Sequence, residues 1–171
     1  MPLIFDREHY EQVIEQGVLK AREFLWIATA NLKDLHVIHQ GHADSLLDYL
    51  SRLAGSGVVI RLLHGAEPSR PFQQSFDKHP DLIAGAMEMQ PCRRLHAKIV
   101  VVDGVMAYVG SANLTGAGLG AKSAGKRNFE VGYLTREPAE VAAVADYFDS
   151  LWMGLRCGNC MLRTECEDPM A

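Results

Sequence analysis

No apolar run in this 171-residue chain approaches the ~18 residues that a membrane-crossing helix requires. The start of the chain is equally unlike a secretory leader, because Asp6, Arg7 and Glu8 interrupt any apolar stretch. The expectation is a soluble, cytoplasmic protein with no membrane partner. Aromatic residues make up only 8% of the chain, and no aromatic-rich or groove-reading element stands out. Base-specific reading of a nucleic acid is therefore not expected from this chain alone. A strong surplus of positive charge is missing too: the formal net charge is −4, which excludes a generally basic nucleic-acid binder. No internal repeat is visible. At 48% hydrophobic and 22% charged the chain is globular rather than disordered, and its length suits one ordinary domain.

The charge is unevenly distributed. Between residues 92 and 128 lie Arg93, Arg94, Lys98, Lys122, Lys126 and Arg127 against one acid, Asp103, so this segment is +5 and the remainder −9. A local surplus of this kind suits a polyanionic substrate.

Periodicity places the elements. Residues 7–21 read as an amphipathic helix, 24–30 as a buried strand, and 46–54 as a helix capped by Asp44 or Ser45. A second strand follows over 58–63, so the strand–helix–strand order predicts a parallel pair with a right-handed crossover. Residues 65–81 read as irregular with a short helix, and 83–89 as a weak strand. Strands over 95–102 and 106–110 flank Asp103-Gly104, a strong hairpin signal. Residues 114–127 form a glycine-rich basic loop, 129–135 a strand, and Pro138 opens a helix running to about Met153. His36, His39 and His42 read as loop and helix-cap residues rather than metal ligands. The expected fold class is α/β, a mixed central β-sheet flanked by helices on both faces.

Within the basic segment, His96 and Lys98 leave one side of a β-branched run, Ile99 to Val102. An imidazole beside a fixed positive charge suits a phosphoryl group. The full spacing is H-x-K-x4-D, six residues, then G-S-x-N over Gly110, Ser111 and Asn113. It is completed by Asn128-Phe129-Glu130. This pattern resembles the signature of the phospholipase D superfamily, and the resemblance extends over roughly residues 5–153.

The resemblance implies a phosphodiesterase with His96 as nucleophile. Lys98 and Asn113 would hold the non-bridging phosphate oxygens, Ser111 would add a donor, and Glu130 would orient His96. Asp103 matches the signature, but its place in an Asp-Gly turn favours a structural role. Gly110 is expected to let phosphate approach the backbone. No second H-x-K occurs in the chain, whereas the family's usual arrangement brings two copies together. A homodimer sharing one site is therefore implied. The expected activity is hydrolysis of DNA or RNA phosphodiester bonds through a phosphohistidine, without a metal. Arg93, Arg94, Lys122, Lys126 and Arg127 would bind the backbone. The alternatives are a lipid phosphodiesterase, or a nucleic-acid-binding subunit of a larger defence or repair complex.

Four cysteines remain. Cys157, Cys160 and Cys166 read C-x2-C-x5-C, and Cys92 stands apart. In an intracellular chain such spacing favours a metal over disulfides. It resembles the iron–sulfur staple of certain DNA helicase-nucleases, which implies a [4Fe–4S] cluster with Cys92 as fourth ligand; four-cysteine zinc is the rival. The expected organisation is a catalytic domain over 1–155, with a cysteine-containing tail, 156–171, packed on it.

Overall fold

The computed structural model of the chain describes residues 2–39 and 42–166. Its elements are β1 (Leu3–Phe5), β2 (Phe24–Thr29), β3 (His36–His39), β4 (His42–Ser45), α1 (Leu46–Gly55), β5 (Val59–His64), α2 (Arg70–Phe76), β6 (Met87–Pro91), β7 (Ile99–Val102), β8 (Met106–Gly110), β9 (Val131–Thr135) and α3 (Pro138–Trp152). Seven strands form one mixed sheet in the order β1-β9-β8-β7-β2-β5-β6, and β3 and β4 pair separately. The predicted parallel pair is β2 with β5, in register from Phe24↔Val59 to Thr29↔His64. The crossover helix α1 starts as a reciprocal cap: Leu47 N donates to Ser45 Oγ at 3.1 Å, and Ser45 N donates to Asp48 Oδ2 at 3.0 Å.

Strand alternation divides the apolar residues between two cores, one on each face. Leu25, Ile27, Val100 and Val102 face the larger core with α1 and α2. Ala28, Ile99, Val101 and Ala107 face α3, whose Val141, Phe148 and Trp152 cover them. Trp26 and Phe148 stack there at 5.3 Å. All four residues of β7 are buried, as a strand covered on both faces requires.

The structure departs from the sequence reading at definite places. Strand β7 starts at Ile99 rather than Leu95. Strands β2 and β5 lie between β6 and β7 in the sheet, so the chain must cross their ends. It is bonded to strands where it leaves and rejoins the sheet, Cys92 N donating to His64 O at 2.8 Å and Gly110 N to Lys98 O at 3.1 Å, and among the described residues 93–97 belong to no strand. Gly65 permits this crossing: a Cβ there would lie 2.5 Å from Leu95 O and 3.1 Å from Ala30 O. The first helix is shorter than 7–21. It spans His9–Glu15 and breaks at Gly17, where a Cβ would meet Met106 and lie 2.5 Å from Val13 O. The weak strand 83–89 is a helical turn at Leu82–Ala86 followed by β6. The basic loop is compact, with Leu119 only 2% exposed and Asn128 N bonded to Ala117 O at 3.1 Å. His36 and His39 belong to a hairpin strand rather than a loop; the side chains of His39 and His42 lie outside the described residues.

Asp103 is structural. It takes a left-handed backbone, φ 52°, at the hairpin between β7 and β8. Its carboxylate accepts from three successive backbone N–H groups, Arg22 at 2.9 Å, Glu23 at 2.9 Å and Phe24 at 2.9 Å. This ties the turn to the start of β2, at the far end of β7 from Lys98, roughly 15 Å away at 3.3 Å per residue. Asp103→Ala is expected to cost about 2–3 kcal/mol, as loss of charge-assisted bonds does. Asp103→Asn, which tolerates the same φ, should cost less. Chemical denaturation checks both, with catalysis per folded molecule unchanged.

His9 is fully buried. It meets Tyr108 edge-on at 5.4 Å, and its Nδ1 lies 3.1 Å from Asp6 O, while Nε2 has no hydrogen-bond partner among the described residues. Burial holds the imidazole below its ordinary value, against the raising effects of Asp6 O and the Glu130, Asp6 and Glu8 carboxylates. The unfolded chain therefore binds this proton more readily than the folded one. Stability is complete above the ordinary imidazole value of about 6.5 and falls as pH drops through it. Urea unfolding between pH 8 and 5 should show this fall, and His9→Gln should flatten it.

Candidate active site

The signature residues meet at one edge of the sheet, where β7 and β9 begin and β2 and β8 end. Lys98, just before β7, is 6% exposed. Its Nζ donates to His96 O at 2.6 Å and lies 3.3 and 3.4 Å from the two ring nitrogens of His96. The His96 ring is exposed. Histidine and ammonium thus occupy one side of the chain, as the spacing predicts, although on a crossing segment rather than inside a strand. Burial pulls the Lys98 ammonium below its ordinary value, and the nearby Glu130 carboxylate works against that.

Asn113, just past β8, is pinned by its carbonyl. Its Oδ1 accepts from Asn31 N at 2.9 Å, and Thr29 Oγ1, which donates to Asn31 O at 2.8 Å, lies 3.4 Å from it. Thr29 Oγ1 in turn accepts from Leu114 N at 2.9 Å. With Oδ1 occupied, the amide NH₂ is what Asn113 presents to a ligand. Thr29 and Asn31 are supports that sequence reasoning missed; the signal available was their position at the end of a buried strand.

Glu130, just before β9, is held by Ser111 Oγ, which donates to Oε2, and by Asn128 Nδ2, which donates to Oε1 at 3.0 Å. Its backbone N donates to Asp6 Oδ1 at 3.0 Å. Two expectations change here. Ser111 commits its hydroxyl to Glu130 and accepts from Val131 N at 3.1 Å, so it orients the carboxylate rather than offering a free donor. Among the described residues no hydrogen bond joins Glu130 to His96; the carboxylate acts on the site through its charge, felt by Lys98, Tyr108 and His9. Gly110 also has a different reason from the expected one: a Cβ there would collide with the buried Tyr108 phenol and lie 2.8 Å from Gly132 Cα. That phenol is pushed far above its ordinary value by burial.

The five candidate backbone-binding cations surround this edge unequally. Arg93 and Arg94 are exposed on the crossing segment, and Arg93 reaches Glu165 of the tail at 3.6 Å. Lys122 and Lys126 are exposed on the compact loop that leads into Asn128. Arg127 is partly buried, and its buried Nε has no hydrogen-bond partner among the described residues.

All four cysteines are free and half-buried. Cys92 of the crossing segment and Cys157, Cys160 and Cys166 of the tail line a single cavity of about 200 Å³, and His96 lines it too. Burial is the main cause that pushes the Cys92 thiol up, and the three tail thiols lie near enough to add to it.

A family sequence model described as "Cardiolipin synthase, PLD-like domain" matches residues 14–152. The protein called cardiolipin synthase 2 of Bacillus cereus is 31% identical over 101 residues, 57% of this chain but 18% of that protein. The chain therefore spans less than a fifth of the curated relatives it matches. Among solved structures, NucT from Helicobacter pylori superposes with a TM-score of 0.63 at 15% identity, over 88% of this chain and 93% of that one. Nuc from Salmonella typhimurium, described as a phospholipase D family member, superposes with a TM-score of 0.62 at 14% identity, over 88% and 91%. With the signature intact, the family model covering most of the chain and the same fold in these structures, the chain belongs to the PLD-like domain family and so to the phospholipase D superfamily.

Proposed function

We propose that this phosphodiesterase cleaves nucleic-acid phosphodiester bonds through a phosphohistidine, as a homodimer that assembles one site from two subunits. A neutral His96 nitrogen attacks phosphorus, and the bond from phosphorus to the leaving oxygen breaks. His96 of the partner subunit gives its proton to that oxygen. It then takes a proton from water, whose oxygen attacks phosphorus and breaks the P–N bond. Lys98 and the Asn113 amide hold the equatorial oxygens as charge develops on them.

The observation that carries this reading is a single His96–Lys98 pair beside an uncovered apolar strip. Leu3, Phe5, Val109, Val131 and Tyr133 are 37–48% exposed, and Phe129 is 97% exposed. The registers Leu3↔Tyr133, Phe5↔Val131 and Val109↔Tyr133 put the first five on one face. Glu130 sits between Phe129 and Val131, so a second copy covering the strip brings its own site edge alongside. Of the other imidazoles toward this end of the sheet, His9 is fully buried, and His64 has its Nδ1 on Ala66 O at 3.1 Å and is not among the residues lining the His96 cavity.

Nucleic acid is favoured over lipid by the cations at Arg93, Arg94, Lys122, Lys126 and Arg127, and by the compact polar loop, which offers no apolar surface to a bilayer. Among the described residues no helix is long and apolar enough to cross a membrane. The name of the Bacillus cereus relative favours a lipid, so the deciding assay offers single- and double-stranded DNA, RNA and phospholipid vesicles together. Nucleic-acid cleavage that persists through brief chelation and weakens steeply with salt is expected; cleavage of lipid alone would overturn the substrate reading.

His96→Ala is expected to abolish turnover with the dimer intact, whereas His64→Ala stays within a few-fold of the parent. The reverse order would displace His96 as the nucleophile. Leu3→Glu with Phe5→Glu should give folded monomers by sedimentation, with activity lost in proportion to dimer. A fully active monomer would show that one subunit suffices.

A further inference from the structure

We propose that Cys92, Cys157, Cys160 and Cys166 jointly bind one thiophilic metal centre, an iron–sulfur cluster or a zinc ion, which clamps the C-terminal tail onto the segment that carries His96. The chain has four cysteines in all, and every one of them faces the same cavity of about 200 Å³. Three come from the tail, where Cys160 N donates to Cys157 O at 3.1 Å in a tight turn. The fourth comes from a segment 65 positions earlier in the sequence. Thiols scattered by chance do not converge from such separated places, and buried thiols that serve packing alone lack the C-x2-C spacing of a chelating knuckle.

The surroundings suit a negatively charged centre. Four thiolates around a divalent ion carry a net −2, and Arg93, Arg94 and Arg156 all line this cavity. Arg156 lies over the Tyr147 ring at 5.1 Å, which keeps it at the rim. Soft thiolates select zinc or iron–sulfur iron over harder cations.

As they stand, no three of the described His, Cys, Asp or Glu side chains are arranged to hold an ion. Sulfurs around a tetrahedral zinc lie roughly 3.8 Å apart, from a Zn–S distance of about 2.3 Å. The thiols must therefore draw in on binding. The tail can supply that movement, because among the described residues beyond α3 it is held by the Arg93–Glu165 pair, the Arg156–Tyr147 contact and turns, with no strand ladder.

The consequence reaches the nucleophile. Cys92 is four residues before His96, on a segment whose backbone is bonded to the sheet at its two ends, Cys92 N donating to His64 O at 2.8 Å and Gly110 N to Lys98 O at 3.1 Å. A metal bond at Cys92 adds a side-chain anchor to the first of these, so loss of the centre loosens the approach to His96.

The test uses the full chain, purified without oxygen, with iron, acid-labile sulfide and zinc measured against protein. One centre per chain is expected: brown protein with iron and sulfide, or colourless protein with one zinc. Metal-free protein reconstituted with zinc, or with iron and sulfide, should melt higher than before. Cys160→Ala and Cys92→Ala should each lose most of the metal while circular dichroism still reports a folded sheet. Protein that holds no stoichiometric metal under these conditions, and gains none on reconstitution, overturns the proposal. Full metal retention by Cys92→Ala overturns the clamp.

Discussion

A buried ammonium group sets the terms of this structure. Lys98 is almost wholly shielded from water, yet among the described residues its Nζ has only the His96 carbonyl and ring as bonded partners. A cation taken out of water needs an anion or a dense set of acceptors. Glu130 supplies part of the need from a distance, and its own oxygens are already engaged by Ser111 and Asn128. An anion would satisfy the remaining deficit, and under the proposed function that anion is the phosphoryl group. The His96 backbone itself holds the lysine, which keeps the two side chains together.

The signature was legible because its chemistry is local. His96 and Lys98 are two residues apart, and Ser111 and Asn113 follow a short hairpin, so spacing alone brings them together. Strands of buried β-branched residues and the Ser45 cap were legible for the same reason. What could not be read was anything that depends on sheet order. The crossing of residues 92–98 over the ends of β2 and β5 follows from β6 lying at the far edge, a fact about tertiary arrangement. So does the edge strand β1, three residues long and paired with β9 across the length of the chain. Ser111 was assigned to the substrate because its partner Glu130 is 19 residues away, and the donor's direction is set only when the two strands pair.

Asp103 shows how a motif can mix roles. Position by position it matches as well as His96 does, but three consecutive backbone N–H groups consume its carboxylate at the opposite end of β7. Its contribution is to the frame rather than to the site: it ties the end of β7 to the start of the antiparallel strand β2. Both ends of one short strand are specified, one by an aspartate in a left-handed turn and the other by a lysine under a histidine.

The sheet order also keeps two proposed attachments from competing. The apolar strip of β1, β9 and β8 lies on one side of the site, and Cys92 follows β6 at the opposite edge of the sheet. A second subunit on the strip and a metal centre in the thiol cavity therefore meet His96 from different directions. As proposed, the partner would bring the second imidazole, and the metal centre would restrain a crossing segment whose backbone is bonded to the sheet at its two ends, at Cys92 and Lys98. A histidine on such a segment is less restrained than one inside a ladder, and the half-buried Cys92 four residues upstream, which shares its cavity with the three tail thiols, is where the proposed centre would supply the restraint.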